Sequence, residues 1–378
     1  MTDPLKLARD LVPLVEQEAT NSEQIATMPD VVVNAFRDAG LFALQVPRSL
    51  GGFEADIETT LAVYEIVCRA DASTGWSLLA NASTSAFATT YTSDDAVAAM
   101  FADGAMPIHA GQFAPRGTAV KVDGAYRVSG SYSFGSGSAH AEWIGGGTLE
   151  LVDGAPRMIT PERPAIRVFF VPRDHIEFAG NWDVMGLVGT GSFDYVVPEQ
   201  LVDAGFTFDM MNDLPLRGGP MYRIGVLGLA AIGHAGFALG VGRRALDEIA
   251  ILAQDKQRLG QSTVLADQER FQYELGRNDA AMRASRALVF DAFGAAQVKL
   301  DAGDTYDMVS LIPLRQATTW ATDAAEEAVR FAYLASGSDG LRNPSVIGRY
   351  FRDIHAATQH VVVDDSTLTQ AGRALLGR

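Results

Sequence analysis

Along the first third of the chain, apolar residues recur at helical spacing. Leu7, Leu11, Leu14 and Val15 share one stripe of a 3.6-residue repeat. Pro29 can open a second helix, with Val32, Val33 and Phe36 as its apolar face and Gly40 as its stop. Beyond the turn Gly51-Gly52-Phe53, helices are predicted from Ile57 to Arg69 and from Thr74 to Thr90. Asp94-Asp95 begin a short helix reaching Phe101, their charges suiting its N-terminal dipole. Near Met106 the pattern changes. Between Val120 and Gly130, two alternating runs flank Asp123-Gly124, a hairpin signal. Trp143 to Leu151 and Ile166 to Val171 read as buried strands, and Phe193 to Pro198 as another that ends at its proline. From Met221 onward helical spacing returns, over 221–257, 265–302, 307–335, 345–363 and a short tail. Helices, then strands, then helices is an α+β order, not an alternating βαβ one. The expected division is 1–104, 105–205 and 206–378.

Composition narrows the partners. The 378 residues carry a net charge of −16, which argues against general binding to nucleic acid or anionic membranes, since both need a cationic surface. Hydrophobic content of 48% and charged content of 20% suit a soluble globular protein. Cys68 is the sole cysteine, so no intrachain disulfide forms; its apolar neighbours mark it as a small buried hydrophobe. The N-terminus has early charges and no apolar signal core, so a cytoplasmic location is expected. Ile224 to Gly242 is long and apolar enough for a membrane span and holds Gly236 and Gly240 at GxxxG spacing. It is rich in Gly and Ala, carries His234 and stands alone, so the centre of a soluble bundle is the expected place.

Several motifs dissolve in their context. Gly240-Val241-Gly242-Arg243-Arg244-Ala245 imitates a dinucleotide fingerprint, but the apolar run before it is too long for the strand that motif needs. His355 and His360, five apart, would lie about 140° around a helix, and no HExxH or CxxC is present, so no metal is expected. Gly135-Ser136-Gly137-Ser138 is a scrambled nucleophile elbow. The strand region is denser in chemistry. Its segments 109–119, 128–143 and 182–192 mix Gly, Ser, Thr and aromatics. Glycine admits a flat ring close to the backbone, aromatics stack on it, and hydroxyls bond its edge. An ordinary β domain with glycine-rich turns explains the same composition equally well.

Two runs are more specific: Gly186-Leu187-Val188-Gly189-Thr190-Gly191-Ser192 and Phe351-Arg352-Asp353-Ile354-His355. With them, nearly the whole chain resembles the acyl-CoA dehydrogenase superfamily, and more closely its two-component flavin-dependent monooxygenase branch. The resemblance implies an N-terminal helical domain, a middle β-barrel-like domain holding the flavin, and a C-terminal helical bundle. It implies that Phe134 and Ser136 flank the isoalloxazine, that Trp182 lies over the ring, and that Thr190 and Ser192 sit near the ring or its phosphate tail. Arg258 matches an arginine that reaches flavin phosphate across a subunit boundary, although Leu259 follows where phenylalanine is usual. His360 matches the histidine facing the oxygen-reactive carbon of the flavin. Its ordinary pKa suits either donation to a peroxide or removal of a substrate proton. His109 matches a second polar position in that pocket.

The dehydrogenases of the superfamily use a glutamate just past the Phe-Arg-Asp run. Here the run reads Gln359-His360-Val361-Val362-Val363. The resemblance therefore implies an oxygenase. Reduced flavin (FADH2 or FMNH2) from a separate NAD(P)H-dependent reductase would react with O2 to give a C4a-(hydro)peroxyflavin beside a small aromatic substrate, an indole or phenol. A homotetramer built through the bundle is implied as well. The alternatives are an acyl-CoA dehydrogenase or related oxidase using Asp364 or Asp365, an N- or S-oxygenase on the same scaffold, and a flavin-free binding protein.

Overall fold

Five helices come first in the computed structural model, which describes residues 3–102, 104–211 and 214–378. They are α1 (Pro4–Ile25), α2 (Asp30–Asp38), α3 (Ile57–Ala70), α4 (Ala72–Tyr91) and α5 (Asp94–Met100). Short polar side chains start four of them by accepting an otherwise orphaned amide: Asp3 from Leu5, Asp56 from Thr59, Asp71 from Thr74 and Ser93 from Ala96. Nearly every residue of α4 is buried, which its Ala, Ser and Thr content permits without large voids.

The strands are β1 (His109–Val122), β2 (Ala125–Gly135), β3 (Trp143–Val152), β4 (Ala155–Pro156), β5 (Met158–Thr160), β6 (Arg163–Pro164), β7 (Ile166–Pro172), β8 (Glu177–Phe178), β9 (Phe193–Asp203) and β10 (Thr207–Asp209). The main sheet runs β10-β7-β3-β1-β2-β9-β8, with β4 on β3, and β5 and β6 pair separately. β1 and β3 are parallel and the other pairs antiparallel. Asp123 and Gly124 both take positive φ, 38° and 80°, so β1 and β2 join in the mirror-image turn that suits strand twist. β9 does not stop at Pro198, as its sequence suggested. Val128 pairs with Gln200 and Gly130 with Val197, so Pro198 and Glu199 together oppose Ser129. In that bulge the missing N–H of proline breaks no ladder bond.

The C-terminal half is helical: α6 (Gly225–Ala253), α7 (Glu269–Asp301), α8 (Ile312–Ser336), α9 (Ser338–Leu341), α10 (Val346–Ala357) and α11 (Ser366–Leu375). The apolar run forms the middle of α6. It has the length and composition of a membrane span, yet 83% of its most apolar window is buried within this chain. α3, α4, α7, α8 and α10 surround it. Its GxxxG pair serves helix contact: a Cβ on Gly240 would lie 2.5 Å from the Glu65 carbonyl of α3, and one on Gly236 2.6 Å from the Tyr64 Cβ. The imitation dinucleotide fingerprint is thus interior helix. Cys68 is fully buried on the α3 face against Gly75.

The predicted helix 345–363 ends early. α10 stops at Ala357, and Val361–Val363 form a separate turn. Three consecutive β-branched valines favour that break. His360 is consequently the cap of a turn and not a helical residue.

Candidate active site

Three regions of the chain meet where α4, the β2 end, the 182–192 loop, α6 and the segment after α10 converge. α4 supplies Trp76, whose indole N–H donates to the Ser136 hydroxyl at 3.1 Å. Ser136 Oγ lies 2.8 Å from Ser192 Oγ, and Ser192 Oγ 2.6 Å from Thr190 Oγ. Thr190 donates to the Leu187 carbonyl at 2.7 Å. Each hydroxyl owns one proton, so this last bond fixes the others. Thr190 has spent its proton on Leu187 and must accept from Ser192, which in turn must accept from Ser136. The chain runs one way, from the Trp76 N–H to the Leu187 carbonyl.

Trp76 also meets a histidine pair. The rings of His234 on α6 and His360 are 4.1 Å apart between centroids. Trp76 presents an edge to His234 (4.9 Å), Phe237 (5.0 Å) and His360 (5.8 Å). The Val362 N–H donates to Nδ1 of His360 at 3.2 Å. That bond assigns the neutral ring its proton on Nε2. Burial lowers the His360 pKa to about 4; burial, then the neighbouring His360, drives His234 well below the ordinary histidine value. At neutral pH both rings are uncharged, and His360 offers an Nε2–H donor.

At the mouth, Phe134 is 64% exposed at φ 66° and meets Trp182 edge-on at 6.2 Å. A large apolar ring held in the left-handed region and left in solvent is a poor folding choice. Its place beside a second aromatic and a polar chain suits a flat, polar-edged ligand. The Trp182 indole donates to the Val188 carbonyl at 2.9 Å and braces the loop. These residues fit a flavin ring: two aromatics to frame it, hydroxyls for its edge and an imidazole N–H nearby.

The remaining expected residues lie elsewhere. His109 is fully buried on β1, 3.2 Å from Ser85 Oγ and 3.4 Å from Met100 Sδ, edge-on to Phe170, with burial lowering its pKa to about 3. Among the described residues, no direct side-chain contact joins it to the His360 cluster. Exposed Arg258 donates to the Leu334 and Ala335 carbonyls at 3.0 Å, closing the end of α8 within this chain. Asp364 and Asp365 are exposed; Asp364 accepts the Ser366 N–H at 2.9 Å. His355 binds the Phe351 carbonyl at 2.7 Å and sits 3.6 Å from Glu326. Sequence reasoning missed Trp76 and the role of His234. The lone imidazole in an otherwise apolar run was the available signal for His234; Trp76 left none.

Two family models match the chain: the acyl-CoA dehydrogenase N-terminal domain over residues 6–100 and the acyl-CoA dehydrogenase C-terminal domain over residues 232–365. An indole-3-acetate monooxygenase of Pseudomonas putida is 29% identical over 347 residues, covering 92% of this chain and 87% of that protein. A pigment production hydroxylase of a Rhodococcus species is 27% identical over 378 residues, covering 98% and 95%. In structure, the 3-HSA hydroxylase from Rhodococcus sp. RHA1 matches with a TM-score of 0.89 at 22% identity, covering 100% of this chain and 97% of that one.

Proposed function

This chain belongs to the acyl-CoA dehydrogenase superfamily, in its flavin-dependent monooxygenase branch, and from that premise we propose that it is the oxygenase component of a two-component system acting on an indole-like ring. Reduced flavin, FADH2 or FMNH2 delivered by a separate NAD(P)H-dependent reductase, supplies two electrons so that one atom of O2 enters the substrate and the other leaves as water. The indole assignment rests on the full-length similarity to an indole-3-acetate monooxygenase; a phenol is the near alternative.

The chain's own residues have separate tasks. Phe134 and Trp182 frame the flat ring. Ser136, Ser192 and Thr190 meet its polar edge in a fixed hydrogen-bond direction. His360 holds its Nε2 proton toward the reacting region, where a positioned donor stabilises developing negative charge on oxygen. Trp76 orients Ser136 and packs against both histidine rings. His109, held between Ser85 and Met100, lies outside this set of contacts. Arg258 would serve flavin phosphate only across a subunit boundary, which requires a partner copy such as a homotetramer would supply. Exposed Val298, Trp320, Leu334 and Leu341 on the C-terminal helices, with Val309 in the turn before α8, supply apolar surface for such an assembly. A cytoplasmic location agrees with a reductase partner that draws on NAD(P)H.

One observation carries the reading: the hydroxyl chain and a neutral histidine pair meet at Trp76, and no carboxylate touches either the hydroxyls or the rings among the described residues. An acyl-CoA dehydrogenase needs a carboxylate there, and Asp364 and Asp365 point to solvent. The test preloads the protein with reduced flavin anaerobically and mixes it rapidly with oxygenated buffer. The expected trace shows an absorbance transient distinct from both flavin redox states, and with indole, 18O from 18O2 appears in the product. A direct return to oxidised flavin with no labelled product from indole, phenols, thioethers or amines overturns the oxygenase assignment. Label in a thioether or amine only would move the oxygen to sulfur or nitrogen.

A further inference from the structure

Leu187, whose carbonyl ends the hydroxyl chain, is itself held by a second bond through its N–H. The Leu187 N–H donates to Asp353 Oδ1 at 2.6 Å. Asp353 is 2% exposed and belongs to α10, in the C-terminal half of the chain. Its other oxygen, Oδ2, has no hydrogen-bond partner among the described residues. Beside it, Arg349 faces Asp71 at 3.3 Å, so the guanidinium is already committed to the α4 cap. Leu187 sits at φ 56°, a strained setting for a leucine, with its side chain buried. Gly186 before it lies so close to α10 that a Cβ would fall 2.0 Å from the Arg352 carbonyl. The loop therefore rests directly on the α10 backbone, and a carboxylate pins its strained residue.

We infer that Asp353 is a positioning residue for the flavin edge: by holding the Leu187 amide, it keeps the Leu187 carbonyl aimed at Thr190 and so locks the direction of the hydroxyl chain. This rests on the flavin reading above. With the Thr190 proton taken by Leu187, Ser192 must donate to Thr190 and Ser136 to Ser192. Neither serine keeps a proton to give away; each retains one lone pair. The edge so presented accepts hydrogen bonds and cannot donate them. It matches a ring nitrogen that carries hydrogen, as N5 of reduced flavin does, and sets a lone pair against the bare N5 of the oxidised form. The redox preference of the site is thus set from α10, through Leu187, by a residue that does not touch the ligand.

The test compares affinities for reduced and oxidised FMN and FAD by anaerobic fluorescence titration, in the whole protein and three variants. The wild type should favour the reduced form by about tenfold or more, the scale of one satisfied against one mismatched hydrogen bond. Thr190→Val frees the Ser192 proton and should collapse that ratio about tenfold by improving oxidised-flavin binding. Thr190→Ser should keep the ratio. Asp353→Asn, which weakens the anchor without emptying the site, should shift the ratio in the same direction as Thr190→Val. A merely structural role for Asp353 would weaken both forms together. If Asp353→Asn fails to fold, Asp353→Glu, which keeps the charge but moves the acceptor off the Leu187 amide, takes its place, and an unchanged ratio in a folded Asp353 variant overturns the role of Asp353. An unchanged ratio in Thr190→Val, or no redox preference in the wild type while both forms bind, overturns the inference and leaves the flavin reading standing. No binding of either form by the wild type overturns both.

Discussion

The two walls of the candidate site are built on opposite principles. On the β-domain side, every hydroxyl of Ser136, Ser192 and Thr190 has a donor behind it and an acceptor ahead. On the bundle side, His234 and His360 share a face, and Val362 alone fixes a tautomer. The first wall is saturated and directional, suited to holding a ligand in one pose. The second keeps an N–H in reserve, suited to answering charge that appears during a reaction. Polar groups in a buried site have either role, and the number of partners they already own tells which.

Breaking the second wall should do the most damage to turnover. His360→Ala should leave flavin affinity near the wild-type value while product per NADH falls about a hundredfold, with hydrogen peroxide rising in step. Product quantified by chromatography beside a peroxide assay checks this, and an unchanged product yield removes His360 from the mechanism.

Acid should act on the histidines before the hydroxyls. Four of the six histidines have folded pKa values below the ordinary 6.5: His109 at about 3, His140 and His360 at about 4, and His234 well below it, all chiefly through burial. The unfolded chain takes up these protons from pH 6.5 downward and the folded chain does not. Stability present above pH 6.5 is therefore lost as pH falls toward 4, at up to about 1.4 kcal/mol per pH unit for each group. Asp353, raised to about 7 chiefly by burial, works in the opposite direction, as do Asp71 and Asp323, also raised chiefly by burial. The four histidines outnumber these three carboxyls, so the thermal midpoint should fall between pH 7 and pH 4.5. A flat or rising midpoint in a calorimetric series would contradict the buried, neutral pair.

The smallest effect should come from the first wall. Trp76→Phe keeps the aromatic edge toward both histidines but removes one donor from Ser136. Reduced-flavin affinity should weaken by tenfold at most, since Ser136 keeps its bond to Ser192. A loss as large as that of His360→Ala in turnover would mean that the two walls are not separable.

How far the sequence exposed these features depends on range. Asp123-Gly124 is a local signal with a local cause, and the hairpin forms there. The α+β order and the buried α6 followed from periodicity and composition, which need no partner to be recognised. Pro198 misled because its harmlessness depends on a bulge set by β2. His360 was legible as a residue through family resemblance, but its position on a turn was not, because the end of α10 shifts which face it presents. Trp76 was invisible in an Ala-, Ser- and Thr-rich helix. Only the approach of β2 and α6 gives its N–H and its edge something to meet. Asp353 stood inside a recognised run without a task until the 186–192 loop was seen lying on α10.

The single direction of the hydroxyl chain also makes it a cooperative device. No member can turn around alone, because each proton blocks or frees the next lone pair. Reversal requires all the rotors to move in concert, and it strips the Leu187 carbonyl of its donor. The three hydroxyls therefore behave as one switch with a resting position, and a ligand that wants the other setting must throw all of it at once.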